Sequence, residues 1–185
     1  MTASLDLAGA TLTLPEHLYL LSLDERGRGR VAATGALAIG FAGAALLDLH
    51  LRGHFELDPR RPSPTPRPTG EPFLDRVLDA VVGEPGPLWK LVLKSVQAVP
   101  SSAELLREAI ARKVSAGVDL AALPPPGAQR SLHLAGLARA CLLGALVFDK
   151  GRFAAVAREL DALPAEDPFR ALLDAMVYAV AAASS

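Results

Sequence analysis

RVAATGALAIGFAGAALLDLHLRGHFELD, residues Arg30 to Asp58, decides the fold. From Val31 to Leu47 it runs seventeen residues without a charge. That length lies at the lower edge of what spans a bilayer. Its composition points elsewhere. Ala and Gly fill most of the run, Leu37, Ile39, Phe41, Leu46 and Leu47 supply its bulk, and no Trp or Tyr belt flanks it. The helical pattern continues through Asp48, Leu49, His50 and Leu51 to Arg52, and Gly53 is placed to end it. A helix that is apolar on all sides belongs at the centre of a helical protein, covered by its neighbours. The stretch therefore predicts a buried central helix. His54 to Asp58 then alternates polar and apolar, which predicts a short strand.

Working outward, Thr13-Leu14-Pro15-Glu16 opens the helix before it. Thr13 is the predicted cap and Glu16 stands three residues on, the spacing of a capping box. Asp24 to Arg30 is a turn. On the other side, Arg60 to Pro68 holds four prolines, which predicts a surface loop. Helices follow over 73–82, 88–99 and 103–116, the last capped by Ser101 or Ser102 and stopped by Gly117. Leu132 to Phe148 reads as a second strongly apolar helix, with Gly136 and Gly144 for close packing. Helices over 152–163 and 168–183 complete the chain. The fold class predicted is mainly α: a compact single domain over 1–185, apolar central helices inside amphipathic ones, and a short β-hairpin or strand. Richness in Ala and Leu and poverty in Val, Ile and aromatics support it.

A net charge of −1 supplies no basic field for nucleic acid. The single cysteine, Cys141, excludes an intrachain disulfide and suits an intracellular setting. No Lys or Arg precedes the first apolar residues, so the start lacks the pattern of a signal peptide. The expected setting is cytoplasmic, with peripheral contact to the inner face of the membrane.

The sequence offers little catalytic chemistry. It holds no nucleophile elbow, phosphate loop or dinucleotide fingerprint. His50 and His54 have the spacing of a helical metal pair, but Gly53 lies between them and no third ligand stands nearby. Cys141 sits inside an apolar helix, the usual place of a structural thiol. Neither His17, which follows Glu16, nor His133 falls in a recognisable catalytic pattern in the sequence. The expectation is a non-enzymatic protein without metal or cofactor. Three basic groupings remain: Arg26, Arg28 and Arg30; Arg60, Arg61 and Arg67; and Lys90, Lys94, Arg107, Arg112 and Lys113, the last three on the polar side of one helix.

The order of motifs resembles the Golgi phosphoprotein 3 family, which includes many bacterial members. Leu12 to Asp24 is similar to the family's opening. Gly40 to Asp58, a Gly-rich helix running into Leu49-His50-Leu51-Arg52-Gly53 and a short strand, carries the strongest similarity. Thr69 to Asp75 and Ser102 to Gly117 resemble later segments. The resemblance implies a helical domain that acts as a peripheral membrane adaptor, contacting anionic phospholipid headgroups, phosphatidylinositol 4-phosphate in the eukaryotic members, and binding protein tails. In this register the family's Trp falls at Ala33, its helix Arg at Ala42, and its second basic pair near Ala103 and Leu106, so the donors at those places are replaced. The headgroup cations expected here are Arg107, Arg112, Lys94 and Arg30. The alternative is a cytosolic protein-interaction domain without the lipid pocket.

Overall fold

The computed structural model describes residues 12–29, 34–58, 62–65, 67–84, 86–116, 129–144 and 150–183. Helix α1 spans Leu14–Leu21 and opens with the predicted capping box. The Thr13 hydroxyl accepts the Glu16 N–H at 3.4 Å, and the Glu16 carboxylate accepts the Thr13 N–H at 2.6 Å. Helix α2 spans Thr34–Leu51 and is the central helix the sequence predicts. Residues 39–49 are buried without interruption. Five of its large side chains, Ile39, Phe41, Leu46, Leu47 and Leu49, are each at most 2% exposed, and burial of each stabilises by roughly 1.5–3 kcal/mol. The helix ends in a Schellman motif. Gly53 takes φ +75°, its N–H donates to His50 O at 2.9 Å, and the His54 N–H donates to Leu49 O at 2.8 Å.

Helices α3 (Pro72–Val81), α4 (Leu88–Ala98), α5 (Ser102–Ser115), α6 (Gln129–Ala140), α7 (Lys150–Asp161) and α8 (Pro168–Ala183) follow. Helix α2 packs against α1, α3, α4, α6 and α8, so most of the molecule is a jacket around it. Small residues set the spacing. A Cβ on Gly40 would stand 2.8 Å from the Cβ of Cys141, and one on Gly43 would collide with the Met176 thioether. No helix among the described residues is long and apolar enough to cross a membrane.

Strand β1 (Phe55–Glu56) pairs antiparallel with β2 (Ser63–Pro64), with Phe55 opposite Pro64 and Glu56 opposite Ser63. The Pro-rich segment thus supplies a two-residue edge strand in place of a plain loop. An edge position tolerates Pro because one side of the strand needs no ladder bond. A larger difference concerns Leu132 to Phe148. Helix α6 stops at Ala140, and Leu142 turns to φ +66°. The Leu143 N–H then donates to Ala138 O at 2.8 Å, the same closure that follows α2, with leucine where glycine is usual. Residues 145–149 of that predicted helix, residues 30–33 before α2, Arg60 and Arg61, Gly117 and most of the connection before α6 lie outside the described residues.

Candidate functional site

Helix α5 carries two of the four predicted cations, Arg107 and Arg112. Leu106, Ala109, Ile110 and Lys113 face inward, while Arg107 and Arg112 are exposed and form no ion pair among the described residues. Five residues separate the two arginines, which sets them roughly 140° apart around the axis at 3.6 residues per turn. They do not form one clamp. Lys94 lies on α4 and pairs with Glu84. Arg30 lies outside the described residues. The four predicted cations are therefore not gathered at a single pocket by the described part of the fold.

Lys113 corrects the expectation of a polar position. Its ammonium is buried, with Nζ 2.8 Å from Glu16 Oε2 and 2.7 Å from Glu71 Oε1. Glu16 belongs to the α1 capping box and Glu71 is the residue that opens α3. One lysine thus ties α1, α3 and α5 together. Ninety-seven residues separate Lys113 from Glu16, so no local pattern reveals the pair. A partial signal exists: Lys113 follows Leu106 by seven residues and shares its inward stripe. An open groove of about 410 Å³ lies beside this cluster, with Gly70, Pro72, Ala109 and Arg112 on its walls.

The start of α1 is held by further polar groups. Asp48 Oδ2 accepts the Leu14 N–H at 2.7 Å, and Asp48 Oδ1 pairs with Arg52 Nε at 3.0 Å. Arg130 Nη2 donates to Leu12 O at 2.5 Å and lies 3.4 Å from His17 Nδ1. Burial pushes the His17 imidazole below its ordinary pKa, with a smaller opposing effect from its contact to Thr13 O. Burial also lowers Arg130. His133 is lowered for the same reason, and its Nδ1 is buried without a hydrogen-bond partner among the described residues.

The remaining chemical candidates are Cys141, His50 and His54. Cys141 is fully buried and its thiol is pushed up to about 12 by burial, so no thiolate forms near neutral pH. His50 Nδ1 lies 3.0 Å from Phe55 O, tying the end of α2 to β1, and His54 Nδ1 lies 3.0 Å from Arg67 O, tying the residue before β1 to the segment after β2. Among the described residues, no group of three or more His, Cys, Asp or Glu is placed to hold a metal ion.

A helical shell around an apolar core helix, with charge on the surface and at the start of α1, defines a class of mainly helical domain in which no described helix is long and apolar enough to cross a membrane. A family model described as Golgi phosphoprotein 3 (GPP34) matches residues 14–113, more than half of the chain. The chain belongs to that family. No curated protein matches it. At the positions where the register places the family's basic residues, Ala42 and Leu106 are buried at 2% and 0% exposure and Ala103 is exposed without a donor. Ala33 lies outside the described residues.

Proposed function

We propose that this domain is a non-catalytic peripheral membrane adaptor that docks on anionic phospholipid headgroups, phosphatidylinositol 4-phosphate among those the family resemblance implies. The observation that supports it is the pair Arg107 and Arg112: exposed, always charged, and free of ion-pair partners among the described residues. Such cations contribute about 1 kcal/mol each near an anionic surface, so the two together give about 2 kcal/mol. Docking of this kind is weak, and it weakens further with salt. With Ala42 and Leu106 buried where the family register has cations, general attraction to negative charge is favoured over recognition of one headgroup. The test is co-sedimentation with neutral vesicles, with generic anionic vesicles and with vesicles carrying phosphatidylinositol 4-phosphate, at low and physiological salt. Salt-sensitive binding to both anionic kinds is expected. Binding to the phosphoinositide vesicles alone would show a selective pocket, and binding to none would remove the proposal.

A second reading, a protein-interaction domain, is favoured by a groove of about 270 Å³ between α6, α7 and α8. Leu142 and Val177 line it and stand 60% and 57% exposed. Arg139 and Asp161 pair across it at 3.5 Å. Apolar walls with a paired charged rim suit an apolar side chain of a protein tail.

A further inference from the structure

Two exposed arginines give weak attachment, and the structure carries a second feature suited to the same surface. We propose that the patch formed by Trp89, Lys90 and Tyr178, where α4 meets α8, is the part of the domain that enters the bilayer interface. This rests on the reading that the domain docks on membranes, and it names where. The Trp89 and Tyr178 rings lie 5.1 Å apart, tilted by 52°. Tyr178 is 56% exposed, and Val177 beside it is 57% exposed. The Lys90 ammonium lies 5.5 Å from the indole centroid.

Each part has a chemical reason to sit at headgroup depth. Trp and Tyr combine an apolar ring with one polar atom, which is why they gather where hydrocarbon meets water. Neither the Trp89 indole N–H nor the Tyr178 hydroxyl has a hydrogen-bond partner among the described residues, so both are free for headgroup oxygens. Charge complements an anionic surface. Helix α4 carries Lys90 and Lys94 and no acid, with Glu84 paired to Lys94. On α8, Ala175 to Ala183 carries no charge at all. Asp174, a turn earlier, lines the groove that also holds Arg139 and Arg170. The occupant this chemistry fits is a phospholipid bilayer: amphipathic rings in the middle, with the Lys90 cation beside them.

Trp89 is the only tryptophan, so its intrinsic emission reports this site directly. The full chain is titrated with vesicles of phosphatidylcholine alone and of phosphatidylcholine mixed with phosphatidylglycerol, with sedimentation measured on the same samples. Expected on the mixed vesicles are a blue shift of emission and quenching by lipids brominated on the acyl chain. Tyr178→Ser, at an exposed position that spares the core, is expected to reduce the bound fraction roughly tenfold through loss of an interfacial ring. Sedimentation with unchanged Trp89 emission would overturn this inference and leave docking through another face standing. Absence of sedimentation on every vesicle would overturn both.

Discussion

At the scale of single residues, Lys113 is the most consequential side chain. It pairs with two carboxylates that are otherwise out of water, Glu16 at 2% and Glu71 at 11% side-chain exposure. Removing one partner of such a cluster costs more than the cluster contributes, because the remaining charges stay buried. Lys113→Met is expected to lower unfolding free energy by about 3–5 kcal/mol in urea titrations. Arg112→Met, one position away and exposed, is expected to change it by less than about 0.5 kcal/mol. The buried histidines set a pH dependence. His17 and His133 both have pKa values lowered by burial, so the unfolded chain binds protons more readily than the folded one. Their contribution is fully present above the unfolded value of about 6.5 and is lost as pH falls below it towards the folded values. The urea midpoint should therefore drop on acidification below about pH 6.5. His133→Leu should flatten that drop, and should itself stabilise, because Nδ1 of His133 is buried with no hydrogen-bond partner among the described residues.

At the scale of elements, helix ends and close-packed glycines decide the boundaries. Gly53 ends α2 as its position after Arg52 predicts, while Leu142 does the same duty after α6 with a side chain that resists φ +66°. Leu142→Gly is expected to raise stability by roughly 1 kcal/mol in thermal or urea unfolding, since the left-handed position disfavours residues with a Cβ by about that amount. Gly40→Ala should do the reverse, lowering stability by roughly 1–3 kcal/mol through overpacking against Cys141. The same elements separate what is legible in the sequence from what is not. Most helices are readable because their apolar residues recur at helical spacing and their ends carry Thr13, Pro72, Pro168 or Gly53. The break after Ala140 is not, because Leu142 is no turn residue and apolar residues continue past it. The strand at Ser63–Pro64 is hidden by its prolines. Lys113 reads as a surface cation by charge type, and its phase with Leu106, which points inward, is the weaker signal. The candidate site is less legible than the fold. Which cations are free and which are paired depends on contacts between distant segments, as Glu16 with Lys113 and Glu84 with Lys94 show.

At the scale of the whole molecule, residues 39–49 of the apolar stretch that could suggest a membrane span are buried, and the proposed contact with a membrane falls to the surface. Helix α3 packs against both α4 and α5, so the aromatic patch and the two arginines belong to helices that flank a common neighbour. In the proposed docking, α5 supplies attraction at a distance and the α4–α8 patch supplies the anchor. The most direct test is co-sedimentation of the double variant Arg107→Glu/Arg112→Glu against the unaltered chain on anionic vesicles at low salt. The expected result is a fall of at least about tenfold in affinity, since reversing two charges removes about 2 kcal/mol of attraction and adds repulsion, with thermal unfolding unchanged. Equal binding by the two proteins would contradict docking through these arginines.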